Sequence, residues 1–278
     1  MRLKTTLRVV SSAAALLALS VPFLLPAPAL AADDIVCRAN YDFCVEVDGK
    51  YPQDARFFAS DTKGKFLVDI PANGGGMLID LPARRAIAVP RNLITVDGPD
   101  GVVRVKDAIP VSAAAYALSL EGPVLRFQTD KAHVRVLKVL DRPPVVGEIA
   151  LDALIADRME YREGMKAYTP DKTAIDALKA TKKSVELEAY FATWCSHCRV
   201  YMPKFLRVIK DAANPNIKLT LVGVPRGFGN EQGPWAGKSI QSIPAIIVKY
   251  EGKELTRLAS HEGAVPEAEL AGIIAALK

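Results

Sequence analysis

The chain has 278 residues, half of them hydrophobic, and a formal net charge of +5. That length suggests one or two domains with ample apolar material for a core. Three of the positive charges, Arg2, Lys4 and Arg8, fall in the first eight residues and leave +2 for the remainder. No global basic character therefore points to nucleic acid or to a membrane surface.

Residues 1–31 read as a secretory signal peptide. Arg2, Lys4 and Arg8 form the charged start, an apolar stretch of small residues follows, and Ala29-Leu30-Ala31 makes an A-x-A cleavage site. The apolar run is near the lower length limit for a membrane span, so an uncleaved anchor is the alternative. Pro22, Pro26, Pro28 and the small-residue site argue for cleavage. Cys37 stands well past the run, behind Asp33 and Asp34, which speaks against a lipid-modified cysteine. The expectation is an exported protein, periplasmic if the source is Gram-negative, in a compartment that permits disulfides.

Residues 32–144 have the texture of a β-rich domain. Short β-branched or apolar runs at 43–47, 65–70, 77–81, 86–89, 93–96, 102–105, 124–127 and 133–140 alternate with turn signals such as Asp48-Gly49, Asn73-Gly74 and Glu121-Gly122-Pro123. Strands at this spacing predict an antiparallel sandwich or barrel. Residues 112–120 fit a helix or a strand equally. Cys37 and Cys44, seven apart, read as a structural disulfide closing a small loop; a second redox pair, free thiols and a metal site are the alternatives. His133 reads as structural. Partner binding or dimerisation is the expected role of this domain.

Arg142-Pro143-Pro144 is a stiff break. Residues 145–164 carry apolar side chains at roughly helical spacing and predict a linker helix. Residues 165–278 form the second domain. Thr169-Pro170-Asp171 signals a helix start before 173–180. A strand is predicted over 183–191 and a helix from there to about residue 212. Then come a strand over 217–224, a Gly-rich loop over 225–238 holding Trp235, a hairpin of 244–250 and 254–258, and an amphipathic helix over 266–277.

The chemistry centres on Trp194-Cys195-Ser196-His197-Cys198. Two cysteines at this spacing, on the first turn of a helix that follows a strand, make a reversible dithiol/disulfide pair. The helix N-terminus favours the thiolate of the first, Cys195, which attacks a partner sulfur. The second, Cys198, then resolves the mixed disulfide. A bare C-x-x-C also suits zinc. His197 is placed to donate a hydrogen bond or positive charge to the Cys195 thiolate, or stands as a plain exposed histidine.

Three further features accompany the pair: the strand-like segment before it, Met202-Pro203 inside the following helix, and Ser242-Ile243-Pro244 opening a β-branched strand. Together they resemble the thioredoxin superfamily, over roughly residues 165–278. The resemblance implies an α/β thioredoxin-like domain, a central mixed sheet flanked by helices, with residues 165–168 as its first strand. It implies redox catalysis by Cys195 and Cys198 without a metal or organic cofactor. It also implies a cis Ile243-Pro244 bond and substrate contacts from Trp194, Ile243 and Pro244. Pro203 would kink the helix, while Trp235 and Phe228 read as packing and His261 is given no role.

The histidine before Cys198 is similar to the Cys-Pro-His-Cys of DsbA-type oxidants, although Ser196 stands where relatives have proline or glycine. Thioredoxin itself has a buried carboxylate six residues before its first cysteine; that position is Ala189 here, with Glu186 and Glu188 on the other strand face, and TlpA-like exported relatives also lack that acid. The expected partners are protein thiols and disulfides, a membrane thiol–disulfide reductase or oxidase, and a second copy through the N-terminal domain. The rival reading is a partner-binding scaffold whose thioredoxin-like domain is an adaptor with a redox switch.

Overall fold

The structure, a computed structural model, describes residues 34–277 apart from 98–100, 107, 231 and 262. The predicted signal peptide at 1–31 lies outside the described residues. Among the described residues no helix is long and apolar enough to cross a membrane.

The N-terminal part contains β1 (Ile35–Ala39), β2 (Phe43–Val47), β3 (Arg56–Ser60), β4 (Lys65–Ile70), β5 (Gly75–Asp80) and β6 (Arg85–Pro90). It continues with β7 (Ile94–Asp97), β8 (Val102–Val105), β9 (Ala115–Glu121), β10 (Val124–Gln128) and β11 (His133–Lys138). Residues 112–120, ambiguous in sequence, thus supply a strand. These segments form a single 11-stranded sheet in the order β2-β11-β10-β9-β6-β5-β4-β3-β1-β8-β7. Within this sheet every pairing of the described residues is antiparallel, for example Val45 opposite Val136 in β2 and β11.

The sheet buries both faces of its middle strands. Phe57, Val68, Met77 and Ile79 point to one apolar cluster, which Val45, Leu118, Leu125, Phe127, Val134 and Val136 complete from β2 and β9–β11. Their neighbours Phe58, Leu67 and Leu78 point to the opposite cluster, completed by Ile35, Ile94, Val103 and Val105 from β1, β7 and β8. Because side chains alternate along a strand, continuous apolar runs such as Phe66-Leu67-Val68 are what burial on both faces requires.

The expected disulfide between Cys37 and Cys44 is not formed; both thiols are free and buried. The chain turns a corner between β1 and β2, and the two strands part. Cys37 lies opposite Ser60 and Val103 in the β7–β8 cluster. Cys44 packs with Leu137 and Val139 in a separate small cluster, its thiol 3.5 Å from the Leu137 carbonyl.

The C-terminal part is an α/β domain. It is built from β12 (Gly147–Glu148), α1 (Leu151–Asp157), α2 (Met159–Ala167), α3 (Lys172–Ala180), β13 (Val185–Phe191), α4 (Ser196–Ala212), β14 (Ile217–Gly223), β15 (Ala245–Tyr250), β16 (Lys253–Arg257) and α5 (Pro266–Ala275). The sheet order is β12-β14-β13-β15-β16. β13 runs parallel to β14 and antiparallel to β15. Asp171 caps α3 through the Ala174 N–H at 2.8 Å, as its position after Thr169-Pro170 predicts.

Residues 145–168 depart from expectation. In place of one linker helix and a strand at 165–168, the chain makes a two-residue edge strand paired with β14, then two helices. Leu154, Tyr161 and Met165 belong to the same core as β13 and α4, so this stretch is an integral layer of the α/β domain. α2 crosses α4 at Gly164: a Cβ there would stand 2.8 Å from Cβ of Pro203. The two helices approach so closely there that a larger side chain than glycine's would have to displace Pro203.

Arginines tie the two parts together within the compact unit that begins at Asp33. Arg142 reaches the Asp157 carbonyl at 2.7 Å and its carboxylate at 2.9 Å, with its guanidinium 3.7 Å from the Tyr51 ring centre. Arg158 donates to the Pro143 carbonyl at 2.6 Å. Arg199, directly after Cys198, donates to the Tyr41 carbonyl at 3.0 Å and pairs with Asp42 at 2.5 Å.

Candidate active site

β13 delivers the chain to the site. Val185, Leu187, Ala189 and Phe191 alternate onto the face covered by α4, in one core with Cys198. Glu188 points the other way, as alternation predicts, and accepts from Tyr190 at 3.0 Å, Lys238 at 2.9 Å and Lys249. Burial pushes its carboxyl up, but the hydrogen bonds from Lys249, Lys238 and Tyr190 outweigh this and bring it down to about 2. Glu188→Gln is expected to cost about 2 kcal/mol at neutral pH, as for hydrogen bonds to a charged group. A depressed carboxyl stabilises the fold fully above its unfolded value and loses this as it protonates, so the cost should shrink as pH falls from 4.5 towards about 2. Urea titrations of both proteins at neutral and acid pH check this; an equal difference at both would overturn it.

Beyond β13 the loop 192–194 turns into α4. Cys195 is the N-cap residue, and its sulfur accepts from the Cys198 backbone N–H at 3.4 Å. The side chain is half-buried, whereas Cys198 is fully buried and its sulfur accepts from the Ala192 N–H at 3.4 Å. This environment separates the two thiols. Cys195 is lowered to about 6, chiefly by the hydrogen bond from the Cys198 thiol. Partial burial opposes this, and the N–H groups of Cys198 and His197 and the charge of His197 add to it. Cys198 is pushed far up by burial and by its hydrogen bond to Cys195. The arrangement has one thiolate available at neutral pH and one protonated thiol behind it.

The other residues expected at the site surround Cys195. The Ile243–Pro244 peptide bond is cis. The Ile243 carbonyl oxygen lies 3.8 Å from Cys195 Sγ, and the Pro244 carbonyl accepts from Ser260 Oγ at 2.6 Å. Trp194 donates from Nε1 to the Val224 carbonyl at 3.1 Å, and the Arg226 guanidinium stands 5.0 Å above its ring. His197 is exposed beside Cys195. Trp235 and Phe228 pack with Trp194 below this surface. A groove with about 550 Å³ of open space runs alongside, lined by His197, Val200, Tyr201, Ile243, Ser260 and His261 among others. His261, given no role in sequence, is therefore part of the site's wall.

Sequence reasoning also missed the supports of the active-site loop. Thr193 Oγ1 accepts from the Val145 N–H at 3.2 Å, and Arg226 donates to the Leu140 carbonyl at 3.4 Å. A Cβ on Gly223 would meet the Val145 carbonyl oxygen at 2.4 Å, so glycine lets the joining segment lie across the end of β14. These contacts join residues far apart in the chain, and only Arg199, adjacent to Cys198, carried a local hint.

A dithiol at the N-terminus of a helix that follows the central strand of a mixed sheet, beside an X-Pro loop, defines a thioredoxin-like redox domain. Residues 170–276 match the family model described as Thioredoxin, and this part of the chain carries that domain. Among solved structures, the alkylhydroperoxide reductase protein AhpF of Enterococcus faecalis is similar at 13% identity, with 42% of this chain and 52% of that chain covered and a TM-score of 0.30. Mitochondrial thioredoxin 3 of Saccharomyces cerevisiae, in its oxidized form, is similar at 15% identity, with 41% and 99% covered and a TM-score of 0.25. A protein of unknown function from Pseudomonas aeruginosa is similar at 18% identity, with 42% and 71% covered and a TM-score of 0.30. No curated protein matches the chain.

Proposed function

We propose that this chain is an exported thiol–disulfide oxidoreductase that exchanges disulfides with protein substrates through Cys195 and Cys198. The observation that carries the reading is the split between the two thiols: Cys195 half-buried, at the helix N-terminus and lowered to about 6, and Cys198 buried and protonated behind it. Cys195 attacks a partner disulfide as the thiolate, one partner sulfur leaves with the bonding pair, and Cys198 displaces the second. The same steps in reverse oxidise a partner dithiol. His197 supports the thiolate, while Ile243, Pro244 and Trp194 frame the place where an extended partner segment approaches. The leader pattern at 1–31 supports export, to the periplasm of a Gram-negative source. A membrane thiol–disulfide reductase or oxidase would then return the pair to its starting state, and the β-rich domain would serve partner binding or pairing with a second copy.

Trapping tests this reading. In Cys198→Ser the resolving thiol is gone, so mixed disulfides between Cys195 and its partners should accumulate and resolve on non-reducing gels, while Cys195→Ser/Cys198→Ser should yield none. If no adduct forms in Cys198→Ser, or if the double variant retains full function in the cell, the chain is instead a scaffold.

A further inference from the structure

Arg199 joins the dithiol to the β-rich half through both of its ends. Its backbone N–H donates to the Cys195 carbonyl at 3.1 Å, which closes the first turn of α4. Its guanidinium donates to the Tyr41 carbonyl at 3.0 Å and pairs with the Asp42 carboxylate at 2.5 Å, across 158 residues of chain. The Arg199 side chain is 26% exposed and that of Asp42 64%. An ion pair so open to water adds little to stability, so its worth lies in what it holds.

The corner that receives Arg199 is itself anchored. The Asn40 N–H donates to the Phe57 carbonyl of β3 at 2.9 Å, and the Asn40 side-chain oxygen accepts from the Asp42 N–H at 2.9 Å. The Asp42 carbonyl accepts from the N–H of Val139, just past β11, at 3.0 Å. Residues 40–42 are thus fixed to strands on both sides of the β-rich half.

What sets Cys195 apart is a group of short contacts within the turn that Arg199 closes. Its sulfur accepts from the Cys198 N–H at 3.4 Å and from the Cys198 thiol. Hydrogen bonds weaken steeply as angles and distances drift, so these contacts depend on how firmly the turn is held. On its inner side the turn is held by the buried Cys198 and the Ala192 N–H. On its outer side Ser196 and His197 are exposed, and Arg199 is the residue that reaches a neighbour. The charge of Arg199 does not account for its placing. Asp42 and the buried Glu160 both face it, and the charge acting on Cys195 is that of His197.

We propose that Arg199 and Asp42 are positioning residues for the dithiol, an inference that rests on the exchange reading of the site. Through its 40–42 corner the β-rich half holds the first turn of α4 in the geometry that makes Cys195 reactive. The β-rich half then serves its own active site, besides any partner it binds. It also occupies the Arg199 side of the turn, which leaves the side of His197 and the groove for an approaching partner.

The test follows alkylation of Cys195 by iodoacetamide against pH in the full-length protein. Removing an acid near a thiol lowers its pKa or leaves it in place, so electrostatics alone gives no upward shift in Asp42→Ala. Positioning gives the reverse: a midpoint raised by roughly half a pH unit, about threefold in the ionisation constant. Asp42→Glu, which can still pair with Arg199, should stay near the unaltered value. In an Arg199→Ala background Asp42→Ala should raise the midpoint no further, because it acts through the arginine. Asp176→Ala, the loss of an exposed and paired acid on α3, should not move it. A midpoint unchanged or lowered in Asp42→Ala, or raised as much when Arg199 is absent, would overturn the proposal. If Cys195 of the unaltered protein titrates near 9.0, as an ordinary thiol does, the exchange reading itself fails.

Discussion

Alkylation of Cys195 by iodoacetamide is expected to rise with pH through a midpoint near 6, and Cys198→Ala should move that midpoint upward. The hydrogen bond from Cys198 is the largest of the lowering influences, and the variant removes it while leaving the helix N-terminus and His197 in place. His197→Ala should have a smaller effect in the same direction, because the charge of His197 ranks last among the causes. A midpoint in Cys198→Ala equal to that of the unaltered protein would contradict this ranking.

The sign of the linked redox effect follows. A thiol lowered from 9.0 to about 6 stabilises the folded, reduced protein fully above the unfolded value, and the gain is lost as pH falls through the folded one. At pH 7 part of it remains, and it moves the pair towards an oxidising potential. The pair should therefore be more oxidising at pH 7 than the same site with an ordinary thiol. Equilibration with glutathione at several pH values measures it. Cys195→Ser should abolish exchange altogether, since no other described thiol is both half-exposed and lowered.

Phe205→Ala is expected to lower stability by about 4 kcal/mol, the cost of deleting a large aromatic from a well-packed core. Phe205 is fully buried at the centre of the cluster that joins α2, α4 and β13. For a chain of this size the loss corresponds to roughly 10 °C in thermal unfolding. Val200 stands on the same helix but is 59% exposed, and Val200→Ala should change stability by less than about 0.5 kcal/mol. Similar losses from both would mean that α4 is not seated as described. The large effect matters for the site because Cys198 belongs to the same cluster, so a loosened helix also exposes the resolving thiol.

The redox half was the most legible part of the chain. Trp194-Cys195-x-x-Cys198, Pro203 and Ile243-Pro244 are local signals, and the β-branched run after Pro244 predicts β15 almost to the residue. The β-rich half was legible as strands but not as a topology. Strand runs and turn signals mark where the chain extends and reverses, yet nothing local says that β6 pairs with β9 or that β2 pairs with β11. The Cys37–Cys44 expectation failed for the same reason. Closeness in sequence suggested a loop, whereas the two strands enter different clusters.

Residues 145–168 misled because β12 is a two-residue strand with no periodicity to detect, and because the apolar spacing of 149–159 spans the break between two helices at Arg158. The buried Glu160 and Tyr161 looked like ordinary helix residues, since burial of a carboxylate is a property of the packed molecule.

The pairing of β2 with β11 also governs the order in which the molecule can form. Val45 meets Val136, and Cys44 meets Leu137, only after some ninety intervening residues have been gathered in. Closing so long a loop is entropically costly, and contacts of such separation are slow to form. The α/β half depends on nearer neighbours: β13, α4 and β14 follow one another directly in the chain. The β-rich half is made first, yet its sheet can close only once β11 has been made. Until β11 arrives, β2 is an unpaired strand edge, and chains cut short before residue 138 should be the ones that aggregate.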